Sequence, residues 1–283
     1  MQVRKIASSL GWVVMGRLTD MFTRRQAEGR GALMPFIVAG YPRLDALPEI
    51  LQGLQTAGAD AVEIGIPFSD PIADGPVIAA AMHDALSQGV TVASVLDVVT
   101  QCRNLIELPL IAMVSISIVD RLGGPAFIDR LADAGFDGVI LPDADLDAIG
   151  EHRKRALARD LAFTSLIAPD TTPSRAARIA ADAHEFIYLL ARAGLTGQQT
   201  DAPDLAARVQ ALKPVTSLPL AAGFGISTPT HVQAALADAQ GAIVGSALVR
   251  SLTDAANHGL PLGEAARAFV QPLADAIKPH PEG

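Results

Sequence analysis

Residues 57–66 read Ala57-Gly58-Ala59-Asp60-Ala61-Val62-Glu63-Ile64-Gly65-Ile66. Gly58 is a helix stop, because a left-handed residue closes a helix at least cost when it carries no Cβ. Beyond Ala59-Asp60 stands a short apolar run, 61–66, broken by a single acid, with the length of a strand buried on both faces. The pattern recurs at Ala134-Gly135-Phe136-Asp137, which leads into Gly138-Val139-Ile140-Leu141. Runs of this kind occupy 33–39, 61–66, 110–115, 138–141, 161–167, 185–190, 218–222 and 241–244, eight in all. Between them, apolar residues fall at helical spacing, as in Ala46-Leu47, Ile50-Leu51 and Leu54, in Phe127-Ile128 and Leu131, and in Val232 and Ala235-Leu236. Ser227-Thr228-Pro229 offers a hydroxyl cap ahead of a proline in the first helical turn. Eight strand-then-helix units predict a single (β/α)8 TIM barrel, with a terminal helix at 262–277. A doubly wound sheet is the competing arrangement of the same units.

Composition agrees with strands buried on both faces. The 283 residues are 50% apolar, 18% charged and only 4% aromatic, a chain with an ample core and no disordered or collagen-like character. Its formal charge is −8, and no Lys/Arg run exceeds Arg153-Lys154-Arg155, so a nucleic-acid groove has no electrostatic basis. The one cysteine, Cys102, has no thiol partner, which fits a reducing cytoplasm. Residues 1–14 hold an apolar stretch too short and interrupted for a signal peptide or a membrane span. They read as an N-terminal extension, with 15–283 as the barrel domain and Met15 as an alternative start. The six histidines lack ligand spacing, so no metal site is expected, and they read as surface or helix-end residues. No Gly-x-Gly-x-x-Gly follows an early strand, so a dinucleotide cofactor has no fingerprint.

A barrel places its chemistry at the C-terminal ends of its strands. In the second strand, side-chain alternation sends Val62, Ile64 and Ile66 to one face and Ala61, Glu63 and Gly65 to the other. The branched face suits packing under helices, so Glu63 points into the barrel. Desolvation there raises a carboxyl pKa toward the range of a general acid or base, although a glutamate salt-bridged to a neighbouring strand fits the pattern equally. The segment Pro67-Phe68-Ser69-Asp70-Pro71-Ile72-Ala73-Asp74-Gly75-Pro76 is a long, stiffened loop just beyond it. Asp74 reads either as a helix N-cap or as a second working carboxylate.

Gly223-Phe224-Gly225-Ile226-Ser227 ends the seventh strand and Gly245-Ser246-Ala247 the eighth. Glycines there admit a ligand to the backbone, and the N–H groups of the two helix starts are donors for a phosphate. After the sixth strand, Ala191-Arg192-Ala193-Gly194-Leu195-Thr196-Gly197-Gln198 has the composition of a closing lid. Tyr188, on the face opposite Ile187 and Leu189, points inward as a core residue or as a substrate contact.

At these residues the chain resembles the tryptophan synthase alpha chain family. The run from Val62 to Pro76 is similar to the family signature almost without change. The likeness spans about 17–277, through Pro35-Phe36-Ile37, Ala39-Gly40-Tyr41-Pro42, Tyr188 to Gly197, Gly223 to Ser227 and Gly245-Ser246. The resemblance implies retro-aldol cleavage of 1-C-(indol-3-yl)glycerol 3-phosphate to indole and glyceraldehyde 3-phosphate, with no metal or organic cofactor. It makes Glu63 the acid/base at indole C3 and the glycerol hydroxyl, and Asp74 the acceptor of the indole N–H. Gly197, Phe224, Gly225, Gly245 and Ser246 match the phosphate pocket, Phe36 the indole pocket, Tyr188 the active-site tyrosine and Thr196 the lid. A pyridoxal-phosphate beta chain is the implied partner, in an αββα tetramer in the cytoplasm.

Two segments depart from the family pattern. Ser115 and Ser117 stand at the places of an aromatic and an amide, and the usual Pro-Asp-Leu-Pro is Pro142-Asp143-Ala144-Asp145. A stand-alone lyase, or a barrel acting mainly as activator of a partner, are therefore the alternative readings. The second is disfavoured by the presence of both Glu63 and Asp74.

Overall fold

Eight parallel strands close into a barrel: β1 (Ala32–Val38), β2 (Val62–Gly65), β3 (Leu110–Met113), β4 (Gly138–Ile140), β5 (Ala162–Ile167), β6 (Ile187–Leu190), β7 (Leu220–Gly223) and β8 (Gly241–Val244). Neighbours follow sequence order, and β8 pairs with β1 to complete the ring. The computed structural model describes residues 5–8, 11–14, 16–71, 74–190, 205–223 and 225–277, with backbone only for 5–8 and 11–14. The eight expected strands are all present, and the doubly wound sheet is excluded by closure.

The expected helix signals operate as read. Gly58 and Gly135 take φ of +89° and +96°, where a Cβ is strained, and each is followed by a strand. Thr228 accepts the His231 N–H at the head of the helix Pro229–Leu236. Side-chain alternation splits the apolar residues into two clusters. Met34, Phe36, Ile111, Met113, Ile140 and Tyr188 share the barrel interior, whereas Leu33, Ile37, Val62, Ile64, Leu110 and Ala112 pack under the helices.

One device repeats at the N-terminal rim. Just ahead of β2, β4 and β8, a polar residue exchanges two hydrogen bonds with the start of the preceding strand. Asp60 donates its N–H to the Leu33 carbonyl and accepts the Leu33 N–H on Oδ2, both at 2.8 Å. Asp137 does the same with Leu110, and Gln240 with Leu220 through Oε1. Strand ends otherwise leave these groups unpaired. The interior is closed below by the helix Arg17–Ala27, whose Leu18, Met21 and Phe22 join the inner cluster and whose Phe22 ring stacks 5.5 Å from that of Phe186. This plug was not anticipated, because its apolar face only makes sense against a cavity that the barrel creates. In a sheet separate from the barrel, Lys5–Ser8 and Gly11–Val14 pair antiparallel.

The helices Leu47–Thr56 and Leu262–Asp275 approach each other through glycine. A Cβ on Gly53 would collide with the Gly263 carbonyl oxygen, and one on Gly263 would lie 2.6 Å from the Glu49 carbonyl. Alanine normally improves a helix interior by about 1 kcal/mol over glycine. Here the clash is with backbone, and overpacking costs about 1–3 kcal/mol. Gly53→Ala is therefore expected to lower stability in urea unfolding, by up to about 2 kcal/mol net. An increase would show that the two helices part without penalty.

Candidate active site

Glu63 lies in β2 with its Cα level with Phe36 of β1 and Ile111 of β3. It is 0% exposed, and neither carboxylate oxygen meets a hydrogen-bond partner among the described residues. The salt-bridge reading of this residue is therefore excluded within the described chain. Loss of water, with no compensating cation or donor, raises its carboxyl pKa to about 8. Glu63 is accordingly a neutral acid at neutral pH, and a stronger base than an ordinary carboxylate when it does give up its proton.

Asp74 stands at the end of the loop after β2, ahead of the helix Pro76–Ser87. Gly75 is the N-cap of that helix and no side chain caps it, so Asp74 does not serve as the cap. Burial lifts the Asp74 carboxyl to about 6. It lines a cavity of about 30 Å³ shared with Phe68, Asp70, Met82, Ser115 and Asp143, large enough to hold a water molecule. The loop is tied to its own helix by His83, whose Nε2 is 2.9 Å from the Ser69 carbonyl oxygen. Tyr188 of β6 joins the two acids electrostatically. Its phenol is pushed well above the ordinary range by burial first, then by the charges of Glu63 and Asp74. Three titratable groups from β2, its loop and β6 thus share one desolvated neighbourhood.

Glycines shape this space, though not all as the sequence implies. A Cβ on Gly65 would lie 2.7 Å from the Phe36 ring, and one on Gly245 would lie 3.5 Å from it, so that ring fills the gap between β2 and β8. A Cβ on Gly223 would fall onto the Tyr188 hydroxyl. Gly223 therefore makes room for a side chain of the protein rather than for a ligand. Gly225 takes φ +47° with open space where a Cβ would stand. Of the two helix starts beyond β7 and β8, the first is partly occupied by the Thr228 hydroxyl, while Ser246–Asn257 begins at Gly245 with no side-chain cap. Its free N–H groups and positive dipole end at Ser246 are the better anion donors. Thr196, Gly197 and Phe224, with the lid segment 191–198, lie outside the described residues.

Several features of the rim were not legible. The two departing segments prove to be joined, with the Ser115 hydroxyl donating to Asp143 Oδ2 at 2.6 Å and the Ile116 N–H to Oδ1 at 2.9 Å. Ser115 also caps the short helix Ile116–Arg121, accepting the Ser117 N–H. A serine before an apolar stretch is the local signal for such a cap. His152 corrects the surface reading of the histidines, being 6% exposed with Nε2 at 3.1 Å from Asp120. The Arg153-Lys154-Arg155 triplet is a solvated face paired to Asp182, Glu151 and Asp129. Among the described residues, no cluster of His, Cys, Asp or Glu has the geometry of a metal site.

A closed parallel barrel with a buried acid, unpaired among the described residues, in its interior defines the class, a (β/α)8 barrel. A family model described as the tryptophan synthase alpha chain matches residues 22–278. The chain is 40% identical to the tryptophan synthase alpha chain of Chloroflexus aggregans, over 93% of its own length and 99% of the relative's. It is 43% identical to that of Prochlorococcus marinus, over 92% and 94%. Among solved structures, tryptophan synthase subunit alpha from Legionella pneumophila superposes with a TM-score of 0.85 at 31% identity, covering 93% of this chain and 98% of that one. A tryptophan synthase structure from Mycobacterium tuberculosis gives 0.84 at 32% identity, covering 93% and 98%. The chain belongs to the tryptophan synthase alpha chain family, and its activity is a lyase reaction, the cleavage of indole-3-glycerol phosphate.

Proposed function

We propose that Glu63 is the proton carrier of this reaction and Asp74 its electrostatic partner. In the reactive pose the Glu63 carboxylic acid gives its proton to indole C3, which moves positive charge onto the ring nitrogen. Asp74 accepts the indole N–H and stabilises that charge as it develops. Glu63, now a carboxylate, takes the proton from the glycerol hydroxyl. The carbon–carbon bond then breaks, its electrons restore the indole ring, and the hydroxyl carbon leaves as the aldehyde. One proton is given and one recovered, so no outside acid or base is consumed. The observation that carries this reading is the isolation of Glu63, unpaired and lifted to about 8.

Phe36 and Tyr188 are proposed as walls of the indole pocket, and Gly225, Gly245 and Ser246, with Gly197 and Phe224, as the phosphate pocket. Thr196 is the proposed lid residue. The neutral, dipolar donors at the Ser246 helix start support this reading, because they hold an anion without a basic surface. We further propose an αββα tetramer with a beta chain, in the cytoplasm, with residues 1–14 as an extension to the barrel domain 15–283. No described helix is long and apolar enough to cross a membrane.

The test is indole release from indoleglycerol phosphate by the purified chain, alone and with a tryptophan synthase beta chain. Strong stimulation by the beta chain supports the tetramer, and full activity alone supports the stand-alone reading. Absence of indole in both conditions overturns the catalytic assignment. The pH profile adds a second check. Asp74 must be ionised and Glu63 protonated, so kcat/KM should rise through about 6 and fall through about 8. A profile flat from about pH 5 to about pH 9 would show that these groups do not titrate in the rate-limiting step.

A further inference from the structure

Arg208, on the helix Leu205–Leu212, reaches back over the barrel rim. Its guanidinium donates through one terminal nitrogen to the Leu190 carbonyl at the end of β6 and through the other to the Ile167 carbonyl at the end of β5, the latter at 3.0 Å. No described carboxylate forms an ion pair with it. Burial alone pulls its pKa below the ordinary arginine value, yet a guanidinium stays charged at neutral pH. A half-buried cation that faces neutral carbonyls is costly to fold around, and no acid among the described residues neutralises it.

The ring of strands sets the distance from that charge to the neighbouring strand ends. Leu190 is the register partner of Gly223, the residue that opens the turn leading to Gly225. From the midpoint of β5 and β6 to the midpoint of β7 and β8 is two strand spacings, about 10 Å. The donors proposed for phosphate, at Gly225, Gly245 and Ser246, are backbone groups with no net charge. We infer that Arg208 is a positioning and specificity-determining residue for the anionic end of the substrate, acting through its field across the strand ends rather than by contact. The inference rests on the phosphate-pocket reading above.

A unit charge about 10 Å from an anion, at an effective dielectric of about 20, changes affinity about tenfold. Screening at about 0.15 M salt reduces this to roughly threefold. The experiment measures binding of glycerol 3-phosphate and of indole to the wild-type chain and to Arg208→Met and Arg208→Lys, at low and at physiological ionic strength. Arg208→Met is expected to weaken glycerol 3-phosphate binding about tenfold at low salt, with the difference shrinking as salt rises, while indole affinity stays within about twofold. Arg208→Lys keeps the charge but not the two-carbonyl bridge, and is expected to bind glycerol 3-phosphate within about threefold of wild type.

Parallel weakening of both ligands in either variant, or a salt-independent loss, would make Arg208 a structural clamp and overturn the inference. So would unchanged glycerol 3-phosphate binding in Arg208→Met. Failure of the catalytic reading is seen separately, as absence of indole release by the wild-type chain. Should Arg208→Met not fold, Arg208→Lys decides alone, since a clamp role predicts that it loses both ligands together.

Discussion

Glu63→Gln is expected to fold, to bind indoleglycerol phosphate, and to release indole at about a hundredth of the parental rate or less. Glutamine keeps the volume and occupies the same apolar site, but it has no proton to give to indole C3 and cannot take one from the hydroxyl. General acid–base catalysis typically contributes about 10²–10⁴-fold, and here one group carries both transfers. Steady-state indole release at saturating substrate is the measurement, and retention of more than about a tenth of the rate would refute the assignment.

The same substitution has a stability signature of opposite sign. The Glu63 carboxyl is raised from 4.5 to about 8 in the folded chain. A raised pKa means that the stability present below the unfolded value is lost as pH rises toward the folded one. Between about pH 4.5 and 8 the wild-type protein loses on the order of a few kcal/mol through this group, and glutamine loses nothing. Glu63→Gln should therefore be the more stable protein at pH 8, with the gap closing as pH falls toward about 4.5. Urea unfolding of both chains across that range reads the difference directly. An active site that is costly at the pH where it works is a common relation between function and stability.

Asp60→Ala is expected to have the largest effect on the fold. Both Asp60 oxygens are in use at the N-terminal rim, Oδ2 on the Leu33 N–H at 2.8 Å and Oδ1 on Arg25 and on Arg30, the latter at 3.1 Å. The side chain is fully buried while the two guanidiniums are only partly so. Alanine would strand a buried backbone N–H and two cations together, and removing one side of such a network costs about 3–5 kcal/mol. Asp60→Asn keeps an acceptor for Leu33 and should lose less. Catalysis in the surviving folded fraction should be unchanged, since this rim is the structural end of the barrel. A loss below about 1 kcal/mol would show that the other rim pairs hold β1 and β2 in register by themselves.

Much of this molecule is legible residue by residue. The stops at Gly58 and Gly135, the eight short apolar runs and the inward parity of Glu63 and Tyr188 follow from local rules, and the barrel follows from their repetition. The run from Val62 to Pro76 carried the family. Other features had no local signal. Asp74 beside Gly75-Pro76 looks like a cap in sequence, and only the helix start shows that it is not. Gly223 looks like a ligand cradle until Tyr188 is found against it. His152 looks like a surface residue, and the helix Arg17–Ala27 like an ordinary amphipathic segment, until the elements they pack on are assembled.

What the sequence by itself determined is therefore the set of elements, the face on which each side chain lies, and the family. These depend on two periods, 2.0 for strands and 3.6 for helices, that every residue shares with its immediate neighbours. What only the tertiary structure decided is which groups go unpaired. Among the described residues, nothing from β1 or β3 reaches the Glu63 oxygens, and carbonyls from β5 and β6, rather than an acid, receive the Arg208 N–H groups. A pKa or a field is set by every group within several ångströms, and closure of the barrel brings Glu63, Asp74 and Tyr188 within that range across more than a hundred residues of chain.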